Sequence, residues 1–136
     1  RSPMDYCFNC LNIKLMELEQ GTIERDAILT YIQKSDKSVL DHQIQVYGIE
    51  RKGEKERFES WIEKGSERKL LWHGSKTMNF LGILKDGLKI APPEAPTTGY
   101  LLGKGIYFSD AFAKSKMYVS GNKKIILLCE VAMGSV

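Results

Sequence analysis

The chain has 136 residues, a length that suits one domain built around one core. Its net charge of +3, from 20 basic and 17 acidic residues, is too even a balance to indicate a nucleic-acid-binding surface. Three cysteines cannot complete a disulfide framework and favour a reducing compartment, and no apolar run approaches the roughly 20 residues that a membrane span needs.

The first half of the chain carries two strand patterns and two helix patterns. Residues 12–19 alternate and predict a strand. Residues 23–34 place apolar side chains at helical spacing, and Thr22 is the expected N-cap. A second strand is predicted over 43–50, followed by a short amphipathic helix over 55–64.

The middle of the chain is predicted to form a short strand over residues 70–72. We expect Ser75 to cap the helix that follows, and Gly87 to end it with the positive φ that glycine adopts easily. Three prolines and a glycine in residues 91–99 predict a loop.

The last part of the chain predicts a strand over 105–108 and a helix capped by Asp110 that runs to about Val119. Residues 125–133 are apolar on both alternating faces except at Glu130, which predicts a central strand covered on both sides. Strands and helices are mixed without a regular βαβ rhythm. We therefore predict an α+β fold with a mixed or split sheet.

Cys7 and Cys10 form a C-x-x-C pair near the start of the chain. A zinc site needs about four ligands, and the remaining candidates, Cys129, His42 and His73, lack finger spacing. A thioredoxin-type site would need a βαβ context that is missing here. We therefore predict no metal site.

Residues 70–75, the histidine motif, place an imidazole where a strand ends. His73 can hydrogen-bond a hydroxyl without carrying a full charge, and Gly74 lets a planar amide reach its main chain. We expect Gly74→Val to block such a ligand and to keep the fold. A surface histidine beside a turn is the alternative for these residues alone.

Residues 103–108, the tyrosine motif, carry two neighbouring rings. In a strand, Tyr107 and Phe108 would point to opposite faces, and downstream Ser115 and Tyr118 would share a helix face. A hydroxyl and two flat rings suit a planar aromatic amide. The alternative is that both tyrosines are half-buried packing residues.

Taken together, the two motifs resemble the catalytic domain of the poly(ADP-ribose) polymerases, especially its DNA-damage-dependent branch. The resembling stretches include Leu70–Ser75 (LLWHGS), Gly87–Pro96 (GLKIAPPEAP), Gly103–Phe108 (GKGIYF) and Leu127–Ala132 (LLCEVA). Residues 3–67 resemble the start of that domain more weakly. The resemblance therefore covers nearly the whole chain.

The resemblance implies the ADP-ribosyltransferase fold and NAD as substrate. In this family, His73 would hold the adenine-side ribose. Gly74 and Ser115 would clamp the nicotinamide carboxamide, and Tyr107 and Tyr118 would sandwich the nicotinamide ring.

Further roles follow from the same resemblance. Ser75 and Asn79 would lie along the ribose and phosphate path, and Lys114 would lie near the catalytic centre with His73 and Tyr107. The implied activity is ADP-ribosyl transfer from NAD to protein acceptors, with poly-ADP-ribosylation by the full-length parent, and the protein itself is a candidate acceptor. A nuclear location is also implied, with a cytoplasmic one as the alternative, and we expect no secretion. We also expect no direct nucleic-acid binding by this domain and no membrane association.

The family's catalytic glutamate has no counterpart in the 136 residues, because Glu94 and Glu130 match other family positions. We therefore expect residues 1–136 to be a single, partial catalytic domain without a regulatory helical domain. Its C-terminal strands would be missing and it would be inactive alone. The alternative is a catalytically inactive NAD-binding, nicotinamide-binding or interaction module of the same fold.

Overall fold

The computed structural model describes residues 9–62, 65–94, 103–120 and 124–134. Its helices and strands, in chain order, are β1 (Ile13–Leu18), α1 (Ile23–Ser35), β2 (Val46–Arg51), α2 (Glu54–Trp61), β3 (Arg68–Gly74), α3 (Phe80–Asp86), α4 (Phe112–Lys116) and β4 (Ile126–Ala132). β1 pairs with β2 and β3 pairs with β4, both antiparallel, in two separate sheets. The predicted α+β class with a split sheet is confirmed. Within the described ranges, no helix has the length and apolar character needed to cross a bilayer.

Helix α1 begins where its sequence predicts. The Thr22 side chain accepts a hydrogen bond from the Arg25 backbone N–H, so the predicted cap is confirmed. Arg25 itself is buried and pairs with the Asp41 carboxylate, while its second terminal nitrogen donates to Asp41 O at 3.1 Å and to Ile44 O at 3.0 Å. A buried guanidinium is tolerated because these acceptors surround it.

The strand predicted over residues 12–19 is confirmed as β1. The second strand begins later than predicted, at Val46, because Asp41–Gln43 forms a 3₁₀ turn. In that turn the Leu40 N–H donates to the Gln43 side chain at 2.9 Å. Helix α2 ends at Trp61; residues 63 and 64 of the predicted helix, and Cys7, lie outside the described residues.

The core gathers around Trp72 of β3. The Trp72 ring meets Tyr31 of α1 and Phe112 of α4, each with ring centroids 5.1 Å apart. The residues that complete this cluster are Ile28, Ile32, Val39, Ile44, Ile126 and Leu128. The indole N–H of Trp72 has no hydrogen-bond partner among the described residues. The packing fixes β3 between α1 and α4, and so positions the residues at the end of β3.

The helix predicted after residue 75 has a different start. Thr77–Asn79 forms a 3₁₀ turn before α3. Ser75 therefore does not occupy the N-cap position of this turn or of α3, and that prediction is wrong. Its hydroxyl accepts a hydrogen bond from the Asn79 side-chain amide at 3.1 Å instead. Gly87 ends α3 with φ of 83°, as predicted. Of the predicted loop over 91–99, only residues 91–94 are described.

Two predictions for the segment before and within α4 are wrong. Residues 105–108 form no strand; only Ser109 makes an isolated bridge, to Trp72. Asp110 does not cap α4, because the N-cap position is Ala111. The Ala111 N–H donates to the Ser109 hydroxyl at 3.0 Å, and the helix stops at Lys116 instead of continuing to about residue 119.

Strand β4 is confirmed, but its predicted burial on both faces is wrong. None of its residues is buried, and Glu130 and Ala132 are exposed. In the described part of the chain, only β3 pairs with it. Ile126 and Leu128 pack against the core, so one face is covered more than the other.

Candidate functional site

The end of β3 faces the tyrosine motif across an antiparallel bridge. The Trp72 N–H donates to Ser109 O at 2.7 Å, and the Ser109 N–H donates to Trp72 O at 2.9 Å. The backbone groups of alternate strand residues point to the same side. The main-chain N–H and C=O of Gly74 therefore point to the side of β3 on which residues 105–109 lie.

The ladder does not continue from Ser109 toward Tyr107. Among the described residues, no backbone–backbone hydrogen bond joins the tyrosine motif to the Gly74 main chain, and the Tyr107 carbonyl bonds to the His73 ring instead. We call the stretch between the Gly74 main chain and residues 105–107, which this missing bond leaves unpaired, the Gly74 gap. A strand edge with free main-chain groups can accept a planar amide, which has one donor and one acceptor side.

The Tyr107 carbonyl is engaged by the His73 imidazole, with Nδ1 of His73 2.8 Å from Tyr107 O. A carbonyl oxygen only accepts hydrogen bonds, so Nδ1 carries a proton. In the neutral ring Nε2 is then the acceptor, free to receive a hydrogen bond from a hydroxyl. The ring also lies 5.7 Å from the Phe108 ring. The histidine and tyrosine motifs thus meet through their own residues.

The Tyr107 side chain is held by a hydrogen bond at its hydroxyl. Its hydroxyl donates to the Gly103 carbonyl, while its own carbonyl accepts from His73. The side chain is 41% exposed, so part of the ring surface is open to a ligand. Hydrogen bonds at the hydroxyl and at the main-chain carbonyl restrict the Tyr107 ring before any ligand binds. This restriction lowers the entropy cost of stacking on the ring.

Gly74 lies directly against α4. A Cβ built on Gly74 would lie 2.0 Å from the Ser115 carbonyl oxygen and 3.2 Å from the Val119 Cγ2 atom. The absence of a side chain at this position is therefore required by packing. A valine at position 74 cannot fit without moving α4, so Gly74→Val is expected to cost stability, and our expectation that the variant keeps the fold stays a prediction.

Ser115, the α4 residue in this contact, is 4% exposed. Its hydroxyl donates to Trp72 O at 3.1 Å. A hydroxyl that donates one hydrogen bond keeps two lone pairs as acceptors. Ser115 is thus oriented by β3 and can accept a hydrogen bond from a ligand amide beside Gly74.

The sequence predicted that Tyr118 and Ser115 share a helix face, and this prediction is wrong. Helix α4 ends at Lys116, and Tyr118 lies in the turn that follows, 65% exposed. Its backbone N–H donates to Ser115 O at 3.1 Å, the same oxygen that faces Gly74. A continuous set of contacts therefore links Tyr107, His73, Gly74, Ser115 and Tyr118.

The remaining predicted residues border this cluster less closely. Asn79 and Ser75 bond to each other on the segment that leaves β3. Lys114 is exposed on α4. The ligand contacts inferred for these three residues stay predictions.

Three hydroxyl residues that hold the site together were not predicted from the sequence: Ser109, Thr77 and Ser120. Ser109 bridges to Trp72, and Thr77 bonds to Ser120. Hydroxyl residues in loops are common, and only their tertiary partners set these apart. Two surface concavities of about 610 and 450 Å³ are lined by other residues, on α1 and around Arg25 and Asp41.

Comparison with known proteins identifies the family. Residues 23–136 match the model of the poly(ADP-ribose) polymerase catalytic domain. The chain belongs to this family. It is 42% identical over 140 residues to poly(ADP-ribose) polymerase 2-A of Oryza sativa subsp. japonica, an alignment covering 97% of this chain and 21% of that protein.

Two animal relatives align over a similar extent. Poly(ADP-ribose) polymerase 1 of Caenorhabditis elegans is 41% identical over 98% of this chain and 14% of its own length. Poly(ADP-ribose) polymerase 1 of Danio rerio is 40% identical over 99% of this chain and 14% of its own length. The chain thus spans about a fifth or less of these relatives.

Proposed function

We propose that this chain supplies the NAD-binding part of an enzyme that transfers ADP-ribose from NAD to protein acceptors, its own protein among them. Family membership supports the reaction class. The observation that carries the proposal for the site is the 2.8 Å contact between His73 Nδ1 and Tyr107 O. It joins the two motifs on which the resemblance depends.

In this proposal the nicotinamide carboxamide enters the Gly74 gap. The Gly74 N–H would donate to the amide oxygen and its C=O would accept from the amide nitrogen, with the Ser115 hydroxyl as a second acceptor. Support comes from the direction of the Gly74 main chain, which the bridge between Trp72 and Ser109 fixes. Two or three such bonds fix the rotation of the nicotinamide ring, and that orients the bond to be broken.

His73 would hold the other end of the substrate. With Nδ1 committed to Tyr107 O, Nε2 can accept a hydrogen bond from a ribose hydroxyl. Ser75 and Asn79, which follow β3 and bond to each other, would lie along the ribose and phosphate path. Lys114, next to Ser115 in the chain, would lie near the catalytic centre.

The chemistry is cleavage of the nicotinamide–ribose bond, which develops oxocarbenium character at the ribose carbon. The residues of this chain would orient the leaving nicotinamide and hold the ribose. The step also needs a carboxylate to polarise the acceptor; neither Glu94 nor Glu130 is assigned that role.

The binding proposal is tested by titrating the 136-residue chain with nicotinamide in a calorimeter. We expect Tyr107→Ala to raise the nicotinamide Kd by about two- to twelvefold, because a stacked ring contributes about 0.5–1.5 kcal/mol beyond its buried area. Tyr107→Phe keeps the ring and removes the hydroxyl that donates to Gly103 O, so its Kd should stay closer to the wild-type value than that of Tyr107→Ala. Tyr47→Ala removes a ring of similar exposure, 48%, from β2 and should leave the Kd unchanged.

An absence of both heat and thermal shift with nicotinamide and with NAD would overturn the pocket. Transfer is tested separately, by chromatographic detection of nicotinamide released from NAD by the longest polypeptide that the reading frame encodes. Binding without release by that polypeptide would favour the alternative, an inactive NAD-binding or interaction module. A nuclear location and a link to DNA damage are part of the same proposal, on the strength of the family resemblance.

A further inference from the structure

Thr77 donates two hydrogen bonds to a single carbonyl oxygen in the segment after α4. Its backbone N–H lies 3.0 Å from Ser120 O, and its hydroxyl Oγ1 lies 2.7 Å from the same atom. Lys76 and Ser120 also form an isolated parallel bridge. These contacts join the segment that leaves β3 to the segment that leaves α4, across 43 positions of sequence. We call them the Thr77–Ser120 staple.

The staple closes a short turn that carries Tyr118. At one end, Ser115 is buried and bonds to Trp72 O. At the other end, Ser120 is bonded to Thr77. Between these two fixed points the Tyr118 N–H donates to Ser115 O, and the Val119 N–H donates to Lys116 O.

The direction of the Tyr118 ring depends on this backbone. The side chain is 65% exposed, so few neighbours hold the ring in place by packing. A ring with little packing points where its Cα–Cβ bond points, within the allowed rotamers. Whatever fixes the turn therefore fixes the region of space available to the ring.

We propose that Thr77 is a positioning residue that holds Tyr118 beside the Gly74 gap, in place to stack on nicotinamide. This inference rests on the proposed function, and adds a residue that would act through Tyr118 without touching the ligand. Thr77 lies three residues after Gly74, the last residue of β3, so the staple is close in sequence to the proposed ligand contact. Loss of the hydroxyl bond would let the turn move and would lower the stacking contribution.

The test compares Thr77→Val with the wild-type chain. The variant keeps the backbone N–H and the β-branched shape and removes the Oγ1 hydroxyl that donates to Ser120 O. We expect the Kd for nicotinamide to rise about three- to tenfold, in the range of one net hydrogen bond. The Kd for ADP-ribose, which lacks the nicotinamide ring, should change by less than about twofold.

Two further variants provide matched controls. Thr77→Ser keeps the hydroxyl and should restore the wild-type Kd for nicotinamide. Thr30→Val removes a hydroxyl that donates to Asp26 O at 2.9 Å on α1, a bond of the same type away from the site. It should leave both Kd values unchanged.

A measurement without ligand separates this inference from the proposed function. Amide hydrogen exchange at residues 117–120 should be faster in Thr77→Val than in wild type or in Thr77→Ser. Unchanged exchange, or faster exchange with an unchanged nicotinamide Kd, overturns the inference. Failure of the wild-type chain to bind nicotinamide overturns the proposed function and the ligand part of this inference, whereas the exchange rates still decide whether the hydroxyl holds the turn.

Discussion

Replacing Gly74 by alanine tests the contact between β3 and α4 most directly. The added Cβ would lie 2.0 Å from the Ser115 carbonyl oxygen and 3.0 Å from its carbonyl carbon. Ordinary contact begins at 3.4 Å, so the two backbones would have to separate by more than 1 Å. Neither partner is the end of a flexible side chain, so the strain cannot be relieved by a rotamer change.

The expected cost is that of overpacking a tight contact, about 1–3 kcal/mol of unfolding free energy. For a chain of this size that corresponds to a fall in Tm of about 3–15 °C. Gly82→Ala is the matched control, because nothing lies within 4 Å of its added Cβ in the middle of α3. It should be neutral or stabilising by up to about 1 kcal/mol.

Thermal unfolding followed by circular dichroism measures both variants under one condition. A second readout is the fluorescence of Trp72, recorded in a Trp61→Phe background because Trp61 is 87% exposed. We expect Gly74→Ala to shift the Trp72 emission to longer wavelength as α4 moves away. The reasoning would be refuted if Gly74→Ala had the same Tm as Gly82→Ala and the same Trp72 emission wavelength as the wild type. That result would show that Gly74 and Ser115 do not approach each other closely in solution.

Two further predictions concern titratable groups away from the site. Burial raises the pKa of the Cys129 thiol to about 11, so iodoacetamide at pH 8 should alkylate the exposed Cys10 well before Cys129; equal rates by mass spectrometry would contradict this. Hydrogen bonds from Ser38 and Lys116 lower the pKa of Asp36, so its ionised form stabilises the fold above the ordinary carboxyl pKa of about 4, and this contribution is lost as the pH falls through the lowered value. Asp36→Asn should therefore reduce stability to urea at pH 7 and have little effect at pH 2, and a difference independent of pH would refute the argument.

The sequence predicted the elements whose signals are local. Strand β1 follows from alternation, and α1 from apolar spacing with Thr22 as its cap. Gly87 ends α3 because only glycine takes a φ of 83° without strain. In each case the decisive interactions lie within four residues of the signal, so neighbouring letters carry the information.

The wrong predictions share a different cause. Residues 105–108 have the composition of a strand, yet the Tyr107 carbonyl bonds to an imidazole 34 positions away and not to a neighbouring strand. Ser75 and Asp110 are good capping residues, but the 3₁₀ turn before α3 has Lys76 at its N-cap and α4 has Ala111, one residue later in each case. The choice among competing partners for a backbone group is made by packing, which a local pattern does not record.

The amino-acid sequence alone determined the family of this protein, the identity of its two motifs and the residue types available to a planar amide. Only the tertiary structure decided that Gly74 is required by the Ser115 carbonyl, that Nδ1 of His73 is the protonated nitrogen, and that Thr77 closes the turn carrying Tyr118. The physical reason is distance along the chain. These contacts join residues 34 to 43 positions apart, and the packing of β3 between α1 and α4 brings them together.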